Sequence, residues 1–257
     1  MAKETHWKPR IGIPWRTRAE ELERNVSKLN HYFDAVRSAG ADPEHISLAR
    51  GPQGLPEQLA RLDGFVLPGS PADVDPARYG EPRHPRTQTV DPDRDRTDSA
   101  ILAHALEAHK PVLAICYGCQ MLNVHQGGSL LQDIPSERPA SVPHGKTDLA
   151  AGATSGDLAH GANLSPGSLL ERLAGGGQAR INSSHHQAIA QPGKGLLVTA
   201  LGSDGIIEGV ELDSPGDWVV GVQWHPERMP GDRFAEELFH NFVEAARKAR
   251  LATAGQG

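Results

Sequence analysis

The segment Pro111-Val112-Leu113-Ala114-Ile115-Cys116-Tyr117-Gly118-Cys119-Gln120 constrains this chain more than any other. Four apolar residues of strand character run into a cysteine, and a glycine and helix-forming residues follow at once. That pattern places a thiol on a tight strand-to-helix turn. The start of a helix is also where the backbone dipole favours the anionic, nucleophilic form of a thiol. Far downstream, Val222-Gln223-Trp224-His225-Pro226-Glu227 offers an imidazole and a carboxylate.

The surrounding pattern alternates strand and helix. Arg10 to Pro14 reads as a strand, and apolar residues at Leu22, Val26, Leu29, Phe33 and Val36 give one helix over about 20–39. A second strand is expected at 44–49, a short helix at 57–62 and a buried strand at 64–67 that ends in Pro68-Gly69-Ser70. Residues 71–93, rich in Pro, Asp and Arg, read as a long loop. A helix over 95–108, the strand 112–115 and a helix from Tyr117 to His125 follow. Such alternation implies a mostly parallel central sheet with helices on both faces, an α/β fold. Residues 135–178 read as loop-rich. Strands at 179–182, 196–201, 206–212 and 218–224 then add antiparallel character, with Asp204-Gly205 as a hairpin turn. An amphipathic helix over 232–249 closes the chain. A single domain over 8–250 is expected, with flexible tails at 1–7 and 251–257.

A chain of 257 residues supports a substantial core. The net charge of −6 argues against a nucleic-acid binder. No apolar run is long enough to span a bilayer, and the N-terminus lacks the apolar stretch of a signal peptide. With Cys116 and Cys119 as the only cysteines, reduced thiols and a cytoplasmic location are expected. No Gly-rich phosphate-binding motif is present.

Cysteine chemistry needs a nucleophile, a base and an oxyanion site. Cys116 is the expected nucleophile, His225 the base and Glu227 its carboxylate partner. Pro226 favours an extended His225, which would put the side chains of His225 and Glu227 on one side. The backbone amide of Tyr117 is a natural oxyanion donor, and the Gly69-Ser70 loop, also at a strand's carboxyl end, can supply a second. Gly118 would let the backbone come close to substrate. Cys116-x-x-Cys119 also has dithiol spacing, but redox chemistry leaves His225-Pro226-Glu227 without a role, and Cys119 is expected to pack on the buried face of its helix. Zinc would need ligands that no second Cys/His pair supplies at suitable spacing. Ser184-His185-His186-Gln187 is polar enough to line a pocket. Arg94-Asp95 is read as an anchor for the following helix.

Taken together, these pieces resemble the class I glutamine amidotransferase-like hydrolases of the peptidase C26 family, and within it the gamma-glutamyl-gamma-aminobutyrate hydrolase group. The matching pieces run from Ile11 to Phe242: Ile11-Gly12-Ile13-Pro14, Leu62 to Ser70, Asp73 to Pro76 with Tyr79-Gly80, Arg94-Asp95, Pro111 to Asp133, Asn182 to Gln187 and Val222 to Glu227. The resemblance implies a flavodoxin-like three-layer fold and a Cys116-His225-Glu227 triad. It implies hydrolysis of a gamma-glutamyl amide through a glutamyl thioester, with backbone amides of Ser70 and Tyr117 as the oxyanion hole. Gly69, Gln120 and His186 are the substrate contacts that follow. No metal or organic cofactor is implied, and a homodimer is. The chain departs from the family pattern at Ala114 and Ser70, where glycine is usual, at Tyr117, where arginine is usual, and at Asp98 in place of glutamate. The loss of arginine is expected to alter the pocket rim. A glutaminase that passes ammonia to a synthetase partner is the second reading, and a non-catalytic binding protein the third.

Overall fold

The computed structural model describes residues 7–50, 54–138, 142–145 and 158–254. Of the expected tails, 1–6 and 255–257 fall outside these residues, and 251–254 belong to the last helix. Eleven strands form one mixed sheet: β1 (Arg10–Pro14), β2 (Asp42–Ile46), β3 (Gly64–Leu67), β4 (Val112–Ile115), β5 (Ser129–Leu131), β6 (Leu158–Leu164), β7 (Gln178–Ser183), β8 (Ala188–Gln191), β9 (Leu196–Gly202), β10 (Ile207–Leu212) and β11 (Val219–Val222). The main order is β2-β1-β3-β4-β11-β10-β9-β6-β7, and β8 pairs with β10 and β5. The strands from β2 through β11 run parallel to their neighbours, and β10, β9, β6 and β7 pair antiparallel.

Among the described residues, eight α-helices are seen: α1 (Arg18–Glu23), α2 (Leu29–Ser38), α3 (Leu55–Ala60), α4 (Pro92–Glu107), α5 (Tyr117–His125), α6 (Ile134–Glu137), α7 (Leu169–Ala174) and α8 (Arg233–Ala254). Two apolar clusters lie on opposite faces of the sheet. Leu113, Ile115, Val220 and Val222 join the α2 and α8 side chains Phe33, Val36, Leu238 and Phe242. Val112, Ala114 and Val219 join Leu59, Ile101, Leu102 and Leu122 from α3, α4 and α5. The period-two side-chain alternation of strands thus buries both faces of β4 and β11. No helix among the described residues is long and apolar enough to cross a membrane.

Three sequence expectations change. The helix expected over 20–39 is two helices, because Arg24 caps α1 in the left-handed region (φ 53°) and Asn25 accepts from Ser27 N–H at 3.3 Å. Leu22, expected in the core, is consequently 68% exposed. The 135–178 stretch contains α6, β6 and α7, and β8 follows at 188–191, so the antiparallel half is more regular than its composition suggests. α8 continues to Ala254, past the expected end near 249. The Asp204-Gly205 turn does connect an antiparallel β9–β10 pair, with Gly205 at φ 79°.

Candidate active site

β3, β4 and β11 end side by side, and their carboxyl ends carry the loops that matter. Cys116 follows β4 directly, at φ 53° and ψ −106°, a conformation rare for a non-glycine residue. Strain of this kind typically costs on the order of 1–3 kcal/mol and needs firm surroundings. They are provided by the β4 pairings with β3 and β11 and by the Cys116 N–H bond to Val222 C=O at 2.8 Å. Ala114, which stands where glycine is usual, is fully buried in regular pairing with Leu67 and Gly221, so its methyl is absorbed by the core.

His225 and Glu227 follow β11. His225 is close to extended (φ −118°, ψ 78°), and Glu227 lies in a 3-10 turn at Pro226–Arg228. The pair therefore arises from a turn rather than from a continued strand. His225 Nδ1 lies 2.8 Å from Glu227 Oε1, and the Cys116 side chain is near enough to act on the imidazole. Burial alone would lower His225, but Glu227 and the Cys116 sulfur outweigh it and raise the imidazole from 6.5 to about 9. Burial opposes ionisation of Glu227 in turn, yet His225 and then Arg228 hold its carboxyl below the ordinary value. The structure thus brings Cys116, His225 and Glu227 together, with His225 hydrogen-bonded to Glu227 and its ring beside the Cys116 side chain. Such a row can hold a thiol proton on imidazole and return it to a leaving group.

The loop after β3 completes the site. Ser70 Oγ donates to Arg16 C=O at 2.9 Å and accepts from Ala72 N–H at 3.0 Å, so the side chain pins the loop. Among the described residues, the backbone N–H groups of Ser70 and Tyr117 meet no protein acceptor. They are free to hold an oxyanion. Gly69 packs beneath: a Cβ there would stand 2.8 Å from His225 Cε1 and 3.1 Å from Tyr32 Oη. The missing Cβ makes room for His225 and Tyr32. Gly118 behaves similarly, since its missing Cβ makes room for Leu67 of β3 rather than for substrate.

A cavity of about 230 Å³ opens above Cys116, walled by Ser70, Asp73, Gln88, Gln120, His185 and His186. Gln120 is held by Gln187 C=O at 3.2 Å and Gln223 Oε1 at 3.1 Å. His186 lies between Asp73 (3.0 Å) and Asp133 (3.5 Å); burial lowers it, and the two carboxylates more than reverse this. A larger cleft of about 970 Å³ between α2 and α8 reaches Glu227 but not Cys116, so the smaller cavity is the one next to the reactive atoms. Cys119 is buried against Gly221 of β11, where burial pushes its thiol strongly up. That position does not suit the dithiol reading.

Three contributors were given no role in the site from sequence. Asn182 clamps the backbone of His225 twice, accepting from its N–H at 2.8 Å and donating to its C=O at 2.9 Å. Tyr32 Oη accepts from Gly69 N–H at 3.0 Å. Arg94, read as a helix anchor, is fully buried and donates to Asp98 Oδ1 (2.8 Å), to Pro68 C=O (2.6 Å) and to Arg16 C=O (3.0 Å). Its guanidinium also lies 4.8 Å from the Tyr117 ring centroid. The Tyr117 ring therefore packs against Arg94 in the interior, although the residue also lines the cavity, and Asp98 completes the ion pair from one helical turn along α4. The chemical signal for Arg94, an Arg-x-x-x-Asp pair in a helix, is visible in sequence, but its targets are distant in the chain.

A parallel sheet with a cysteine elbow at its centre defines the class I glutamine amidotransferase-like architecture. At the level of fold, a candidate GMP synthase protein from Thermoplasma acidophilum superposes with a TM-score of 0.65 over 97% of this chain and 99% of that one, at 15% identity. The peptidase C26 family model matches residues 9–227, and the chain belongs to that family. Gamma-glutamyl-gamma-aminobutyrate hydrolase PuuD of Escherichia coli K12 is 34% identical over 229 residues, covering 86% of this chain and 88% of the relative. A candidate glutamine amidotransferase of Mycobacterium tuberculosis, Rv2859c, is 38% identical over 221 residues, covering 84% of this chain and 66% of the relative.

Proposed function

We propose that this chain hydrolyses the gamma-glutamyl amide of a small amine, with gamma-glutamyl-gamma-aminobutyrate or a similar compound as substrate. The observation that carries the reading is the row Glu227–His225–Cys116 beside two unoccupied backbone donors, at Ser70 and Tyr117. The cavity beside it suits a small molecule, and its polar wall suits an amino-acid head group.

Cys116 Sγ, its proton resting on His225, attacks the side-chain carbonyl carbon. A C–S bond forms, and the carbonyl electrons move onto oxygen, held by the Ser70 and Tyr117 amides. One such donor is worth roughly 3 kcal/mol in the transition state. As the tetrahedral species collapses, the C–N bond breaks and His225 gives its proton to the departing amine. Water then loses a proton to His225 and attacks the thioester, glutamate leaves and Cys116 is restored. Glu227 orients the ring and offsets the imidazolium charge throughout. Gln120 and His186 are the side chains we assign to the glutamyl head group.

The test is a hydrolysis screen over gamma-glutamyl amines and glutamine, with free glutamate as readout and Cys116→Ala as blank. Turnover of gamma-glutamyl amines well above glutamine supports the assignment. Preference for glutamine, with ammonia released, would favour the glutaminase reading suggested by the mycobacterial relative's name. No release from any of them by folded protein overturns the substrate class.

A further inference from the structure

Behind the wall of the substrate cavity lies a second cluster that the reaction does not use. Glu208 of β10 is fully buried, and three imidazoles converge on its Oε1. His144 Nδ1 is 3.2 Å away, His160 Nε2 3.5 Å and His185 Nε2 3.8 Å. The four residues come from the 142–145 segment, β6, the β7–β8 connection and β10, so no spacing in sequence announces them. We infer that His144, His160 and Glu208, with His185 beside them, form a binding site for one divalent transition-metal ion of the zinc class.

Tautomers carry the inference. Each histidine has its outward nitrogen on an acceptor: His144 Nε2 on Asp204 at 2.8 Å, His160 Nδ1 on Gly161 C=O at 3.1 Å and His185 Nδ1 on Gln187 C=O at 2.9 Å. Those contacts suit ring protons on the outer nitrogens of His160 and His185, whose inward nitrogens then face a carboxylate oxygen, while His144 Nδ1 meets both Glu208 Oε1 at 3.2 Å and Ser183 Oγ at 3.4 Å. Acceptors that orient a ring from behind in this way are the usual supports of metal-binding histidines, with carboxylate–His–metal as the commonest form. Without a cation, the inward nitrogens of His160 and His185 confront the Glu208 carboxylate lone pair to lone pair. Both Glu208 oxygens and the Nε2 atoms of His160 and His185 are buried without a hydrogen bond of good geometry among the described residues. A proton on His144 would satisfy one of the three contacts; a cation satisfies all of them.

Chemistry and size fit as well. One ligand atom each from His144, His160 and Glu208 lies within 4.8 Å of the others, and the two imidazole–carboxylate separations, 3.2 and 3.5 Å, already match those between ligands about 2.0–2.1 Å from zinc. Imidazole and carboxylate donors together suit zinc, cobalt or nickel better than magnesium or calcium. The ion would not touch the reacting atoms. It would brace the cavity wall, because Gly145, Ser184 and His185 belong both to the cluster's segments and to the cavity lining.

The experiment uses untagged full-length protein, chelator-treated, then titrated with Zn²⁺ and, separately, with Co²⁺ followed by visible absorption. Cys116→Ser is run in parallel to remove the reactive thiol as a competing ligand. One equivalent is expected in both proteins, with a cobalt spectrum of nitrogen and oxygen ligation and no sulfur-to-cobalt charge-transfer band. His160→Ala is expected to weaken binding at least 100-fold, and Asp204→Asn by about 10- to 100-fold. Folded protein that takes up no ion, or uptake that vanishes in Cys116→Ser and survives His160→Ala, overturns the site. If His160→Ala fails to fold, the unsubstituted protein's stoichiometry and cobalt spectrum still decide.

Discussion

Gly118→Ala is a severe and specific test of how the elbow is built. A Cβ at this position would stand 2.3 Å from Leu67 O, 2.7 Å from Leu67 Cβ and 2.9 Å from Leu67 C. Two of these atoms are backbone of β3, which is pinned on one side by β1 and on the other by β4, so no side-chain rotation relieves the contact. Ordinary contact requires the first turn of α5 and the end of β3 to separate by about 1 Å. Overpacking of this kind costs typically 1–3 kcal/mol. The functional effect should be larger, because the same displacement separates the two oxyanion donors. Tyr117 N–H moves with α5 and Ser70 N–H with the loop after β3. A misplacement of about 1 Å costs on the order of 100-fold in rate. Urea denaturation gives the stability change, and kcat/KM on the best gamma-glutamyl substrate gives the other. Gly176→Ala, whose Cβ meets nothing within 4 Å, is the control and should change neither by much. Unaltered kcat/KM in a folded Gly118→Ala protein would refute the claim that contact between Leu67 and α5 sets the oxyanion geometry.

Glu227→Gln removes the charge that most raises His225. The alkaline limb of kcat/KM, expected near pH 9 in the unsubstituted protein, should move toward neutrality as the rate falls on the order of 10³-fold; an unmoved limb would assign that limb elsewhere. The raised His225 also adds stability that is complete below pH 6.5 and disappears as pH rises through about 9. Denaturation midpoints should therefore decline over that interval in the parent and less steeply in Glu227→Gln. Cys119→Ser should keep most of the hydrolytic rate, whereas a dithiol mechanism would lose it all. Arg94→Met leaves Asp98 buried without its cation and releases Pro68 and Arg16, so a loss of about 3–5 kcal/mol in urea is expected. In whatever folded fraction remains, the kcat decrease should exceed the KM change, since Arg94 supports the oxyanion loops rather than the substrate.

Legibility followed chain distance. The strand–cysteine–helix unit was readable because all its determinants sit within ten residues, and β3, β4 and α5 lie where the apolar runs and glycines put them. His225 and Glu227 were readable through their own spacing, although the backbone joining them is a turn. What escaped depends on contacts across the sheet. Asn182 reaches His225 over 43 residues, and Arg94 reaches Arg16 over 78. The His144, His160, His185 and Glu208 cluster was invisible for the same reason, and His144 and His160 lie in the 135–178 stretch that reads as loop-rich. The packing partners of Gly118 were not readable either, because a glycine reports that something comes close, not whether the neighbour is substrate or protein.

The most direct measurement is covalent capture. A gamma-glutamyl-like electrophile, such as a glutamine analogue with a chloromethyl ketone in place of its amide, should label the folded protein once. Peptide mass spectrometry should place the adduct on Cys116 and leave Cys119 free, and His225→Ala should slow labelling by orders of magnitude at neutral pH. Labelling that ignores His225, or an adduct on Cys119 with Cys116 untouched, would contradict the assignment of a His225-activated Cys116 nucleophile.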